Sequence, residues 1–149
     1  MSLTFHVEPV ENVWDEMSAD WIANWGEEYA RNGGVFNLNK ERYEQYEKDG
    51  YYLQFVARSN GVLAGYCGMY LYNSMHTQDL TATEDVMFLK QKYRAGRNAS
   101  RFFAFVESNL KERGVKTILC LVRDGGVAGR LLQKMGYKIS MIQLTKRLT

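Results

Sequence analysis

Between Met87 and Phe103 the chain reads MetPheLeuLysGlnLysTyrArgAlaGlyArgAsnAlaSerArgPhePhe, an apolar strand, a turn of small residues and the start of an amphipathic helix. A helix N-terminus presents unpaired backbone N–H groups and a partial positive charge, and small residues before it let phosphate oxygens approach. Arg94, Arg97 and Arg101 add cationic side chains to the same segment. An ordinary strand-to-helix turn with a solvated basic rim has the same spacing, so the segment outlines an anion site without naming its ligand. Little else in the chain is reactive by type. Cys67 and Cys120 are the only cysteines, far apart and without a second ligand pair, and read as buried thiols rather than as a zinc site or a disulfide. His6 and His76 are equally isolated, so no Ser/His/Asp or Cys/His arrangement is available.

The elements that must position this segment follow from periodicity. Leu3 to Val10 alternates as a strand with Pro9 at its end. Val13, Trp14, Met17, Trp21 and Trp25 recur at three- and four-residue spacing and place one helix, or two short ones, over residues 11–31, stopped by Gly33 and Gly34. Asn39 offers an N-cap to a polar helix carrying Tyr43 and Tyr46, which ends near Gly50. Residues 51–58 and 62–73 form an antiparallel hairpin about the Ser59-Asn60-Gly61 turn, and a further strand runs from Thr81 to Lys90. Ala99, Phe102, Phe103, Val106 and Leu110 mark a helical stripe ending at Gly114. The apolar run 117–122 predicts a central strand buried on both faces, residues 125–136 a short helix, and Tyr137 opens a last strand containing Ile139, Met141 and Leu144. The order is β-α-α-β-β-β-α-β-α-β, an α/β (α+β) class with helices on both faces of a mixed sheet.

Composition narrows the functional classes. With 149 residues and 46% hydrophobic content, residues 1–149 form one globular domain with a single sizeable core. The N-terminus lacks a basic segment followed by an apolar one, and no stretch approaches a membrane span, which predicts a soluble cytoplasmic protein with no membrane partner. Residues 1–50 carry a net −7 and residues 51–149 a net +9. A basic second half suits a polyanionic ligand and an acidic first half a cationic one. Nucleic acid is set aside, because the aromatics are not interleaved with Lys and Arg.

At residues 94–99 the sequence resembles the GNAT (GCN5-related N-acetyltransferase) superfamily, whose cofactor motif Q/R-x-x-G-x-G/A here reads Arg94-Ala-Gly-Arg97-Asn-Ala99. The resemblance extends through the Gly114-Val115 helix end to Leu132-Gln-Lys-Met-Gly-Tyr137. It implies a mostly antiparallel sheet of six or seven strands and acetyl-CoA as cosubstrate, with no metal. It also implies that coenzyme A is bound by Arg94, Ala95, Gly96, Arg97, Asn98, Ala99 and Ser100, with Met87, Phe88 and Leu89 along the pantetheine arm. Two positions depart from the family: Arg97 replaces the usual middle glycine, and Leu132 stands where a tyrosine general acid is usual. Tyr137 matches a structural aromatic.

Such a reaction needs a base to make the amine neutral before it attacks the thioester. Glu84, on the strand leading to the turn, stands where some family members place a catalytic glutamate, and Asp85, on the opposite face by alternation, is the second candidate. The reading is therefore an acetyl-CoA-dependent N-acetyltransferase acting on a small-molecule or protein amine, cationic by the charge of the first half. A homodimer is compatible with it. The alternative is a non-catalytic GNAT-fold coenzyme A-binding or interaction module.

Overall fold

The computed structural model describes residues 2–149 and, of Glu27 and Glu28, the backbone only. Strand β1 (Thr4–Val7) leads into helix α1 (Val10–Arg31) and helix α2 (Lys40–Lys48). Strands β2 (Tyr52–Ser59), β3 (Val62–Asn73) and β4 (Leu80–Leu89) follow, then a 3-10 turn (Gln91–Tyr93) and helix α3 (Asn98–Glu112). Strand β5 (Thr117–Leu119) and helix α4 (Val127–Lys134) complete the order. The strands lie in the sequence β1-β2-β3-β4-β5, antiparallel except for the parallel β4–β5 pair.

Local chemistry sets the boundaries. Gly33, at φ 75°, closes α1 with its N–H on Ala30 O, and Gly34 N reaches Tyr29 O. Asn39 Oδ1 accepts from Arg42 N at 3.0 Å and caps α2. Glu47 Oε2 accepts from Val10 N at 2.9 Å, so α2 fills a vacant donor at the start of α1 and the two helices are fixed together. Asn60 and Gly61, at φ 48° and 80°, supply the left-handed pair that a tight β2–β3 turn requires.

The sheet separates two apolar clusters. On one face Val13, Met17 and Trp21 of α1 pack with Val56, Leu63 and Tyr66, joined by Trp14, Trp25 and Tyr43. On the other, Phe102, Phe103, Val106 and Leu110 of α3 and Leu132 of α4 pack on Phe55, Cys67, Met69 and Ala82. Helices thus cover both faces, as the sequence implied, but the sheet has five strands rather than six or seven.

The differences lie at the C-terminal edge. Strand β5 stops at Leu119 and is the edge strand, not a central one, and the expected last strand does not form. Tyr137 is held in the turn after α4 by its N–H on Leu132 O. Beyond it, Ile139 and Met141 alternate on one face while Ile142 and Leu144 fall on the other, so an extended chain has no single face to bury. Ile139, Met141, Ile142, Leu144 and Leu148 are accordingly 78% to 91% exposed.

Candidate active site

The site begins where two strands part. Strands β4 and β5 pair at Thr81–Thr117, Ala82–Ile118 and Thr83–Leu119, and no further. At that point β4 also breaks register with β3: Gly68 faces Val86 and Met69 faces Glu84, which leaves Asp85 as the extra residue of a β-bulge. Beyond the bulge Met87, Phe88 and Leu89 remain paired to β3, so the other edge of β4 has no strand partner. The Glu84 carboxylate crosses the gap and accepts from Leu121 N at 3.2 Å. A cleft of about 420 Å³ opens here between α1, β4 and residues 121–128.

The bulge changes what alternation alone implies for the acidic pair, because Glu84 and Asp85 both line this cleft. Their surroundings differ. Glu84 is buried, and burial pushes its carboxyl from the ordinary 4.5 up to about 7, aided by Asp85 and opposed by the Leu121 amide. Asp85 is half-buried and accepts from Tyr43 Oη at 2.8 Å. Burial raises its carboxyl too, but hydrogen bonds from Tyr43 and Tyr70 work the other way. A carboxyl poised near neutrality beside a second that accepts from a phenol is an acid–base arrangement.

The facing wall is aromatic. Trp21, Trp25 and Tyr29 of α1 line the cleft with Phe36 and Tyr43. They brace one another: Trp21 lies 5.6 Å from Tyr43, Trp25 meets Phe88 edge-on at 5.7 Å, and Tyr29 lies 5.0 Å from Phe36. The spacing of the tryptophans showed a helix face, but that this face borders the acidic pair depends on β4, far away in sequence. A second hollow, lined by Asn37, Arg42, Tyr46 and Tyr70, shares Leu38 and Tyr43 with the cleft.

The remaining sequence candidates gather at the start of α3. Arg97 is its N-cap residue and offers no side-chain cap, and the first α3 bond with a residue before the helix is Arg101 N on Arg97 O at 2.9 Å. The amides of Asn98, Ala99 and Ser100 precede it and, as at any helix start, have no acceptor within the helix. Gly96 takes φ 65°, and Ala95, Gly96 and Arg97 are exposed. Asn98 Nδ2 donates to Tyr93 O at 3.0 Å and Ser100 Oγ to Arg97 O at 3.0 Å, which stiffens the turn. Arg94 folds back, its Nε on Leu89 O at 2.6 Å and its guanidinium over Phe88, while Arg101 lies over Phe5. Arg97 is the arginine at the helix mouth itself. Of the strand residues, Met87 lines the cleft, Phe88 packs under Trp25, and Leu89 is buried in the α3-side core.

Other chemistry finds little support. Burial pushes the Cys67 thiol well up and the Cys120 thiol up to about 12, so neither is a thiolate nucleophile near neutral pH. Leu132 is 3% exposed and has no proton to give. Among the described residues no group of three or more His, Cys, Asp or Glu is placed to hold a metal, and no helix is long and apolar enough to cross a membrane.

The model of the Acetyltransferase (GNAT) family matches residues 10–137, and the chain belongs to that family. No curated protein matches it in sequence. Among solved structures it is similar to an aminoglycoside acetyltransferase from an uncultured soil metagenomic sample, at 14% identity over 100% of both chains with a TM-score of 0.78. It is similar to the ribosomal-protein-alanine N-acetyltransferase of Brucella melitensis biovar Abortus 2308, at 13% identity over 100% of this chain and 99% of that one, TM-score 0.74. A third, a predicted acetyltransferase of Clostridium acetobutylicum with acetyl-CoA, has 10% identity over 99% and 97% and a TM-score of 0.70.

Proposed function

We propose that this protein is an acetyl-CoA-dependent N-acetyltransferase that acetylates a primary amine by direct attack. The observation that carries the reading is Glu84: a buried carboxyl, raised to about 7, at the point where β4 loses its β5 partner and a cleft begins. The residues present fit the cosubstrate. The uncapped amides of Asn98 to Ser100 and the Arg97 side chain offer donors to its phosphates, and the open edge of β4 at Met87 offers backbone groups to its pantetheine arm. When bound, it supplies an activated acyl carbon.

The amine nitrogen forms its bond to that carbon, the carbon–sulfur bond breaks, and one proton leaves the nitrogen while one reaches the departing sulfur. Glu84, ionised above about 7, takes the proton from the amine directly or through one water. Asp85, held by Tyr43, places a second carboxyl beside the amine. Direct attack is favoured over an acyl-cysteine because both thiols are held protonated. The acetyltransferases among its structural neighbours include enzymes named for small-molecule and for protein amine acceptors, and either class is compatible with the family.

The buried Leu132 favours a second reading, a coenzyme A-binding module without turnover, because it leaves the thiolate without the usual acid. One experiment separates the two. Calorimetric titration with acetyl-CoA should show saturable binding, and incubation with acetyl-CoA and a panel of amines should release free thiol. Binding without thiol release on any amine supports the module, and no binding removes the proposal.

A further inference from the structure

The cleft carries more information about the acceptor than the charge of the first half does. Among the described side chains the acids lining it are Glu84 and Asp85, adjacent on β4, so the negative charge is concentrated at one place. The other walls are largely rings from Trp21, Trp25, Tyr29 and Phe36 and aliphatic carbons. An ammonium placed away from the acidic pair would meet apolar surface, which disfavours it. The volume of about 420 Å³ lies within the range of roughly 300 to 1,000 Å³ usual for small-molecule sites.

We propose that the acceptor is a monoamine carried on an aromatic-sized apolar body, its nitrogen at Glu84 and Asp85 and its body against Trp25, Tyr29 and Phe36. This rests on the acetyl-transfer reading above. Three features converge on it: adjacent carboxylates serve one nitrogen, braced rings bury an apolar body at little ordering cost, and Tyr43 joins the two regions by lining the cleft while its hydroxyl donates to Asp85. Among the described side chains, the further ammonium groups of a polyamine or an aminoglycoside would find no second acidic pair.

The test measures initial rates of thiol release from acetyl-CoA with 2-phenylethylamine, tryptamine, ethylamine, spermidine and kanamycin. The expected kcat/KM for 2-phenylethylamine and tryptamine exceeds that for ethylamine and for spermidine by at least about tenfold, given what burying a ring contributes. Tyr29 is half exposed, so Tyr29→Ala spares the core, and it should lower the ratio of 2-phenylethylamine to ethylamine kcat/KM at least about fivefold, mainly through KM. Equal kcat/KM for 2-phenylethylamine and ethylamine, or a preference for spermidine or kanamycin, overturns the proposal. Calorimetry with acetyl-CoA alone tells the two ideas apart. If acetyl-CoA does not bind, acetyl transfer fails, and the acceptor class is read instead from tryptophan fluorescence of the unliganded protein. There 2-phenylethylamine should give a saturable change and spermidine none, and the reverse pattern or no saturable change with either sinks the acceptor assignment.

Discussion

Replacing Glu84 by glutamine should make the protein more stable at alkaline pH and far less active. The side chain keeps its shape and an oxygen able to accept from Leu121 N, so the perturbation is mainly to charge. In the fold the carboxyl titrates at about 7 instead of its ordinary 4.5, chiefly because burial penalises the ionised form. At about 1.4 kcal/mol per pH unit this corresponds to about 3 kcal/mol against folding once the group is ionised in both states. The sign follows from proton binding. Below 4.5 the group is protonated folded and unfolded, and no penalty exists; between 4.5 and about 7 the folded state binds more protons, so stability falls as pH rises; above 7 the loss is complete. Glutamine has no such dependence. Denaturant unfolding of both proteins at pH 4.5 and pH 8 should therefore show the variant gaining about 3 kcal/mol on the wild type across the interval, or roughly 6 to 12 °C in melting temperature. Turnover should fall by about 10² to 10⁴. The wild-type advantage should be largest above about 7 and shrink toward the amine's own pKa. A stability difference that stays flat across pH would mean that the carboxyl is not penalised as described, and full turnover in the variant at every pH would remove Glu84 from the reaction.

Tyr43→Phe removes the hydroxyl that donates to Asp85, so that carboxyl should be pushed further up and the KM for the amine should rise, more steeply as pH falls; a pH series of KM checks it. Arg97→Glu should weaken acetyl-CoA binding by about tenfold, with a loss that shrinks at high salt, as measured by calorimetry; unchanged affinity would show that this side chain is not on the phosphates. Gly68→Ala would drive a methyl into the buried Tyr52 hydroxyl, which donates to Gln54, and should cost about 2 to 3 kcal/mol in denaturant unfolding.

Much of this fold was legible because its signals are local. Asn39 as a cap, Asn60-Gly61 as a turn and Gly33 as a stop act on residues a few positions away, and each is found in that role. What failed depended on partners distant in sequence. The run 117–122 is apolar enough for a central strand, yet only three of its residues pair with β4, because Leu121 gives its amide to Glu84 and joins Val122 in lining the cleft. The segment after Tyr137 is apolar too, but its pattern changes face at Met141 and Ile142. At the site, Glu84 and Asp85 were visible as acids on a strand. Their common cleft was not, because a bulge is a property of register with β3 and leaves no local mark at Asp85. The tryptophans of α1 gave the period of a buried stripe, which does not distinguish a core from the wall of a cleft.

The sheet with a separate apolar cluster on each face has a consequence for how such a protein changes over generations. Residues of α3 pack on one side, while Trp25, Tyr29 and Phe36 lie on the other, and none of these three is among the fully buried side chains. Substitutions at those three positions meet only a weak stability filter, since partly exposed sites cost little when altered. Changes at Tyr29 and Phe36 should combine nearly additively with changes at the turn before α3, whereas Trp25 shares Phe88 with Arg94 and should couple to it. Under the proposed function, selection can therefore retune acceptor preference one residue at a time while the turn before α3 stays as it is, so that a duplicated copy could acquire a new acceptor before it loses the fold.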